Sequence, residues 1–270
     1  MARLTVSVVV HRSPLPVLER TLVCLHRALA AARCQGLVHA ADVVVVDNAS
    51  GPEYLARLTE RLRSWGDGVR LLPGRTNPGY GGGHNRVPAS GSDYRLILNP
   101  DVFLASDALV RALTFLRDNP AVGLVVPRAR DPHGRHLYLC KRRPSVAVLA
   151  LRGFAPAWLQ RRFAGLLAAY EMRDRDWERV RTDLAVVSGC CLLIRERVWR
   201  ELGGFDPGYF LYFEDFDLAL RAGRVTRLAY VPGFEVVHLG GQAARKGWRH
   251  RWWFVRSAWR FFRRHGWRWV

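Results

Sequence analysis

Three carboxylates stand close together in the most acidic stretch of a strongly basic chain: Glu214, Asp215 and Asp217. Aromatic residues surround them in the sequence, so we expect the carboxylates to be partly desolvated, which is how a general base is tuned. The same acids would also suit the first turn of a helix, where the helix dipole favours negative charge. We interpret the cluster as the source of a general base.

Two further acids follow apolar runs that are typical of buried strands. Asp47 comes directly after residues 43–46, and its carboxylate could accept hydrogen bonds from a nucleobase N–H or from ribose hydroxyls. Asp101 ends the turn Asn99-Pro100-Asp101 and could hold Mg²⁺ or Mn²⁺ against a diphosphate, because hard cations prefer oxygen ligands. Helix capping and turn formation are the alternative explanations for these two acids.

A histidine and a glycine-rich stretch are the remaining candidates. His238 follows a strand-like segment, and a metal site nearby would make it a candidate ligand. Residues 79–83 contain four glycines and are flanked by Asn77 and Asn85. Backbone amides without side chains in the way could approach a phosphate or a sugar closely. The alternative is a flexible surface loop, and the spacing matches neither a dinucleotide-binding fingerprint nor a Walker loop.

The elements that would position these residues alternate in the first part of the chain. Strands are predicted at residues 4–10, 42–46, 69–72 and 94–98, and helices at residues 17–32 and 52–64. This alternation indicates an α/β fold with a mostly parallel, Rossmann-like central sheet flanked by helices. Ligands of such sheets bind at the carboxyl ends of the strands, which is where Asp47 and Asp101 are placed.

The rest of the chain is less regular. Helices are predicted at residues 106–117, 156–169, 196–202 and 213–221, and strand-like segments at residues 185–194, 227–231 and 235–238. No internal repeat or long linker interrupts them. We therefore predict one catalytic-type domain over residues 1–244 and a tail over residues 245–270.

The tail is basic and rich in aromatic residues. The chain has 42 Lys and Arg against 23 Asp and Glu, a net charge of +19, and residues 245–270 contain nine of these basic residues and no acid. On a helix, six apolar residues would form one stripe about 100° wide: Trp248, Trp252, Val255, Trp259, Phe262 and Trp269. A basic amphipathic helix of this kind suits an anionic membrane surface, although the stripe could instead pack on the domain.

Composition excludes several classes of protein. The chain is 49% hydrophobic and 24% charged, which excludes intrinsic disorder. Its five cysteines are scattered without a CxxC pair, which argues against a disulfide framework or a structural zinc site and favours the reducing cytoplasm. Since we find neither a signal peptide nor an apolar run long enough to span a bilayer, we expect at most peripheral attachment to the inner face of the cell membrane.

Eight segments, in their order along the chain, resemble the inverting glycosyltransferases of family 2, which have the GT-A fold. They are residues 7–10 (SVVV), 46–50 (VDNAS), 77–85 (NPGYGGGHN), 98–102 (LNPDV), 188–195 (SGCCLLIR), 203–206 (GGFD), 213–218 (FEDFDL) and 238–241 (HLGG). The resemblance covers residues 4–241, and the combination is far more specific than any single segment. It implies a donor-binding half at about residues 1–105 and an acceptor and base half at about residues 106–244.

The resemblance also implies roles for the candidate residues. Asp47 would contact the nucleoside of a nucleotide-diphosphate sugar, and Asp101 and His238 would bind a divalent metal, Mg²⁺ or Mn²⁺. Asp215 would be the general base that deprotonates the acceptor hydroxyl, with Glu214 as the second candidate. The other residues expected to line the donor site are Asn48, Asn77, Gly79, Gly81, Asn85 and Asn99.

The substrates follow from the same resemblance, which is to the bacterial rhamnosyltransferase-like branch. It implies dTDP-rhamnose as the donor and a saccharide or lipid-linked saccharide as the acceptor, in the synthesis of lipopolysaccharide or another surface polysaccharide. The family's DxD-type motif is Asn99-Pro100-Asp101 here, with a single carboxylate, which implies either a weak affinity for the metal or an ion held largely by the diphosphate.

Two other functions stay open at this point: a metal-dependent nucleotidyltransferase and a basic nucleic-acid-binding protein. A nucleotidyltransferase would have no need for the Glu214-Asp215 base or for a lipid-facing tail. Nucleic-acid binding would leave the acids and His238 unexplained, and no motif for it is present, so nucleic acid is not an expected partner.

Overall fold

A nine-stranded mixed sheet forms the centre of the computed structural model, which describes residues 1–88, 91–240 and 247–270. The strands are β1 (Ala2–Val10), β2 (Val38–Asp47), β3 (Arg70–Leu72), β4 (Tyr94–Leu98), β5 (Val102–Leu104), β6 (Val122–Arg130), β7 (His136–Leu137), β8 (Cys140–Lys141), β9 (Val186–Val187), β10 (Cys191–Arg195) and β11 (Arg227–His238). The order in the sheet is β3-β2-β1-β4-β10-β6-β11-β5, with β7 beside β6, while β8 and β9 form a separate pair.

Helices flank the sheet, and most of them were predicted. They are α1 (Leu15–Cys34), α2 (Pro52–Arg63), α3 (Gly79–Asn85), α4 (Ala108–Asp118), α5 (Val146–Phe154), α6 (Ala157–Arg162), α7 (Ala164–Tyr170), α8 (Glu196–Leu202), α9 (Glu214–Ala222) and α10 (Trp248–His265), with a short 3₁₀ turn at Gly66–Gly68. The predicted helix at residues 156–169 is two short helices that meet at Phe163. The strand β6 and the helix α5 were not predicted.

The first half of the sheet confirms the βαβ prediction. Strand β1 runs parallel to β2 on one side and to β4 on the other, and β2 runs parallel to β3. Their apolar runs are buried because α1 and the other helices cover both faces, which is why the runs are continuous rather than alternating. The carboxyl ends of β2 and β4 therefore lie at one edge, with Asp47 and the Asn99-Pro100-Asp101 turn beside each other across β1.

The second half of the sheet has a different pattern, so the sheet as a whole is mixed rather than mostly parallel. Strand β10 lies between β4 and β6 and is antiparallel to both, and β11 is parallel to β6 but antiparallel to β5. The predicted strand at residues 185–194 is divided, because Ser188-Gly189-Cys190 turns the chain from β9 into β10. The predicted α/β architecture of the GT-A type is confirmed. The antiparallel directions of β5 and β10 were not predicted, because strand direction depends on contacts between distant parts of the chain.

The glycine-rich stretch is a buried helix and not a surface loop. Four glycines lie within α3, and three of them are buried between the sheet and the segment at residues 205–210. A Cβ at Gly79 would lie 2.0 Å from the carbonyl oxygen of Phe210, and one at Gly81 would lie 2.7 Å from the Cβ of Phe205. The glycines are required because other parts of the protein approach this backbone closely.

The C-terminal helix α10 is present as predicted, and it divides its apolar residues between two faces. Phe261 and Phe262 are buried against Tyr209 and Phe213, so one face packs on the domain. Trp252 and Trp259 lie on the other face and are each 53% exposed. The predicted stripe is therefore partly packed, at Phe262, and mostly exposed. The proposed boundary between residues 244 and 245, like Gly241 of the family pattern, lies outside the described residues.

No helix among the described residues combines the length and the hydropathy needed to cross a membrane.

Candidate active site

Two acids at the start of α9 form the centre of the site. Glu214 and Asp215 follow Tyr212 and Phe213, which both have a left-handed backbone (φ 70° and 67°) and turn the chain sharply into the helix. Such a conformation is costly for residues with a side chain, and it persists only where the surroundings hold it. Here it directs the carboxylate of Asp215 towards Gly189, in the turn between β9 and β10.

Asp215 accepts hydrogen bonds from two backbone amides. The amide of Gly189 donates to Asp215 Oδ2 at 2.8 Å, and the amide of Phe216 donates to Oδ1 at 2.9 Å. Burial raises the pKa of Asp215, while these two amides and the nearby Lys141 ammonium act in the opposite direction. A carboxylate whose pKa is raised by burial is better suited to take a proton from a hydroxyl.

Glu214 has the opposite environment. It is buried, and its Oε2 atom has no hydrogen-bond partner in the described parts of the chain. Burial and then the charge of Asp215 raise the pKa of Glu214 to about 8. The two amides and Lys141 favour the charged form of Asp215, so of the two acids Glu214 holds its proton more firmly.

Asp217 is separated from these two acids. It is fully buried, and it pairs with Arg221 at 2.7 Å and with His265 of α10 at 2.8 Å. Since residues two positions apart on a helix point in different directions, the third acid of the sequence cluster faces the helix–helix contact rather than the site.

Asp101 and His238 are brought together by strand pairing. Val102 is opposite His238 in the antiparallel pair of β5 and β11, so the residue before Val102 meets the end of β11. His238 Nε2 lies 3.4 Å from Asp101 Oδ1. A Cβ at Gly240 would lie 2.5 Å from His238 Nε2 and 2.8 Å from Asp101 Oδ2, so only glycine leaves the space in front of both side chains open.

This pair fits a divalent cation that is shared with a ligand. Carboxylate oxygen and imidazole nitrogen both bind Mn²⁺, and two protein ligands leave positions for diphosphate oxygens. Within residues 1–88, 91–240 and 247–270, no group of three or more His, Cys, Asp or Glu side chains is arranged to hold a metal. The Oδ1 atom of neighbouring Asn99 is buried without a partner among the same residues.

The predicted donor-site residues lie around the carboxyl end of β2. Asp47 is buried, and both of its carboxylate oxygens are 3.3 Å from the Ser50 amide, a weak contact that leaves them able to accept stronger bonds. Asn48 Nδ2 donates to the carbonyl oxygen of Gly79 at 2.8 Å, which joins the end of β2 to α3.

The two asparagines that flank the glycines are engaged with the backbone. Asn77 Oδ1 accepts from the Gly79 amide at 2.9 Å and so starts α3. The amide of Asn85 pairs with Phe205 in both directions, donating to its carbonyl oxygen at 2.8 Å and accepting from its amide at 2.9 Å. Contact of Asn77 or Asn85 with a donor stays a prediction.

A tyrosine that the sequence analysis did not single out connects the two halves of the site. The Tyr80 hydroxyl donates to the carbonyl oxygen of Gly189 at 2.6 Å, and the amide of Gly189 donates to Asp215. Burial raises the pKa of Tyr80 well above its usual value, so this hydroxyl stays a donor. The glycine helix thereby fixes the position of the acids.

A cavity of about 470 Å³ adjoins the acids. Glu214 and Asp215 line it, together with residues from β8, α5, α7 and α10 that include Lys141, Arg152, Tyr170 and Arg251. These four residues were not predicted, because they are distant from one another in the chain and none belongs to a local motif. A larger cavity of about 780 Å³, near the amino end of β1, contains none of the candidate residues.

The fold has solved relatives. The crystal structure of GalNAc-T7 with UDP, GalNAc and Mn²⁺ matches with a TM-score of 0.62 and 16% identity, over 88% of this chain and 44% of that one. At this identity the likeness shows the fold, and the structure of that protein shows that such a fold binds a divalent metal together with a nucleotide.

The sequence comparisons identify the family. The model of glycosyl transferase family 2 matches residues 8–203, which is more than half of the chain. The chain belongs to this family. It is 31% identical over 245 residues to the N-acetylglucosaminyl-diphospho-decaprenol L-rhamnosyltransferase of Mycobacterium tuberculosis, covering 86% of this chain and 74% of that protein. It is 27% identical to the rhamnosyltransferase WbbL of Escherichia coli, covering 68% of this chain and 71% of WbbL.

Proposed function

We propose that the protein transfers rhamnose, with inversion, from dTDP-rhamnose to a hydroxyl of a lipid-linked saccharide in the synthesis of a cell-surface polysaccharide. The observation that carries the proposal is the half-buried carboxylate of Asp215, which two backbone amides hold in place and which lines a cavity with room for an acceptor. The two rhamnosyltransferase relatives support the sugar, and the mycobacterial relative supports an acceptor on a lipid diphosphate.

The chemistry is an in-line displacement in which this chain positions the groups and moves one proton. The acceptor hydroxyl gives its proton to Asp215 as its oxygen bonds to the anomeric carbon, and the bond from that carbon to the diphosphate breaks. The Gly189 and Phe216 amides hold the carboxylate in place. When bound at Asp101 and His238, Mg²⁺ or Mn²⁺ supplies positive charge at the departing diphosphate.

The donor site in this proposal is the edge around β2 and α3. Asp47 accepts hydrogen bonds from the nucleoside, because among the described residues its oxygens have only the weak Ser50 contact. Asn48 holds the glycine helix against this edge and Asn77 fixes its first turn, so we assign both to positioning the donor.

The test is calorimetric binding of dTDP, UDP and GDP to the purified protein, with and without Mn²⁺. We expect Mn²⁺-dependent binding that is tightest for dTDP. Tighter binding of UDP or GDP would be consistent with a glycosyltransferase but would show that the donor is not a dTDP-sugar. Binding of an oligonucleotide without binding of any nucleoside diphosphate would contradict the proposed donor site.

We further propose that α10 attaches the enzyme to the inner face of the cell membrane. Trp252 and Trp259 are exposed, and the guanidinium groups of Arg256 and Arg263 lie over their rings at 5.3 and 5.1 Å from the centroids. Aromatic rings and cations on one helix face suit the interface of an anionic bilayer, where the rings enter the headgroup region and the cations meet lipid phosphates.

Removing apolar side chains from this exposed face should release the protein from vesicles. We expect the Trp252→Ser variant to bind phosphatidylglycerol-containing vesicles about tenfold more weakly in a sedimentation assay, since one buried aromatic ring is lost. Val255→Ser should weaken binding to a smaller extent, whereas Val225→Ser, a similarly exposed valine outside α10, should have no effect. Equal binding by the Trp252→Ser variant and the wild type would exclude α10 as the membrane contact.

A further inference from the structure

Three cationic side chains line the cavity beside the acids, and they have few acidic partners. Lys141 is buried, and its Nζ atom donates to the carbonyl oxygen of Tyr138 at 2.6 Å. Arg152 is 3.8 Å from the nearest carboxylate, that of Glu171, which pairs more closely with Arg173. Arg251 forms no ion pair or hydrogen bond with the residues that the structure describes. Positive charge is therefore in excess on this wall.

A buried hydroxyl in the same cavity also lacks a partner. Tyr170 is only 4% exposed, and its hydroxyl forms no hydrogen bond of normal geometry in the described residues, although the Arg152 guanidinium lies nearby. Burial raises the pKa of Tyr170, so the hydroxyl keeps its proton. Leaving a buried hydroxyl unpaired costs free energy, and a bound acceptor atom would remove that cost.

Aromatic side chains complete the lining. Phe154 at the end of α5 is 51% exposed, and its ring centroid is 6.1 Å from that of Phe254 on α10. The cavity thus combines acids, cations with a free hydroxyl, and apolar rings that reach the surface. An uncharged saccharide alone would leave the cations unused.

We propose that this cavity binds the diphosphate group of a prenyl-diphosphate-linked acceptor. Arg152 and Arg251 contact the phosphate oxygens, which guanidinium groups bind by paired, charge-assisted hydrogen bonds. Tyr170 donates a further hydrogen bond. The sugar then extends towards Asp215, and the first isoprene units lie against Phe154 and Phe254. The inference rests on the proposed function and specifies its acceptor.

The experiment measures binding of farnesyl diphosphate and farnesol by calorimetry, with dTDP and Mn²⁺ present to fill the donor site. We expect farnesyl diphosphate to bind at least tenfold more weakly to Arg152→Ala and to Arg251→Ala than to the wild type, and farnesol to show no change. Arg249→Ala is the matched control, because it removes the same charge from α10 at an exposed residue that does not line the cavity. It should bind farnesyl diphosphate as the wild type does.

Three results would overturn the inference. They are an equal loss of affinity in Arg249→Ala, unchanged affinity in both cavity variants, and inorganic pyrophosphate binding as tightly as farnesyl diphosphate. The last would indicate a site for a free anion. Unchanged dTDP affinity in each variant shows that the fold is intact.

Failure of this inference can be distinguished from failure of the proposed function. Binding of farnesyl diphosphate tests the acceptor cavity and needs no turnover. Nucleotide calorimetry tests the donor site in a separate experiment. If farnesyl diphosphate does not bind but dTDP does, the acceptor assignment alone is wrong. If farnesyl diphosphate binds but no nucleoside diphosphate does, the proposed donor is wrong.

Discussion

The Asp215→Asn variant is expected to transfer sugar about a thousandfold more slowly than the wild type while binding the donor with unchanged affinity. Asparagine keeps the size of the side chain but cannot take a proton from the acceptor hydroxyl. Its carbonyl oxygen can still accept from the Gly189 amide, so the turn between β9 and β10 should be preserved. Single-turnover kinetics and dTDP calorimetry on the same preparation separate the two effects.

Glu214→Gln is the matched control for this result. Because Glu214 Oε2 has no donor among the described residues and the pKa of Glu214 is about 8, glutamine mimics the protonated form that already predominates at neutral pH. We expect a loss of about tenfold or less. A large loss in Glu214→Gln together with near-normal transfer by Asp215→Asn would move the role of base to Glu214.

The second large effect is expected at Asp101. Asp101→Ala should weaken the binding of dTDP about a hundredfold in the presence of Mn²⁺ and leave the metal-free affinity unchanged, since only the metal-dependent part of the affinity is lost. His238→Ala should act in the same direction, because the two side chains face the same open space at Gly240. Calorimetry at several Mn²⁺ concentrations measures both variants.

Asp107→Ala provides the control for a general loss of negative charge. Asp107 is exposed and pairs with Arg111 on the surface of α4, outside the site. Its removal should not change the Mn²⁺ dependence. If Asp101→Ala keeps the full Mn²⁺ dependence of the wild type, the ion is bound elsewhere.

The C-terminal helix is part of the active site's support as well as a candidate membrane contact. Ser257 donates to the carbonyl oxygen of Leu211 at 2.9 Å, and the Tyr212 hydroxyl is 3.0 Å from His250 Nδ1. The left-handed residues before the acids are therefore held by the helix that carries the exposed tryptophans. The tail predicted as a separate segment is packed against the catalytic segment.

Local signals in the sequence determined the parallel half of the sheet and the placement of its acids. Continuous valine runs require burial on both faces, and helical spacing between them requires crossover helices, so β1, β2, β4, α1 and α2 could be predicted from short windows. Asp47 and Asp101 follow from that arrangement, because the carboxyl ends of parallel strands share one edge. The amphipathic pattern of α10 is local in the same way.

Tertiary structure alone decided which distant groups meet. The direction of β10 and the pairing of β5 with β11 depend on long-range contacts, and that pairing brings His238 to Asp101. The sequence of the acidic cluster did not predict that Asp217 faces away from the site, because its partner His265 lies on a distant helix. The cations of the cavity come from three separate elements, so no window of the sequence contains them together. Side-chain periodicity reports which face of an element is buried, whereas only the packing of the whole chain determines what that face meets.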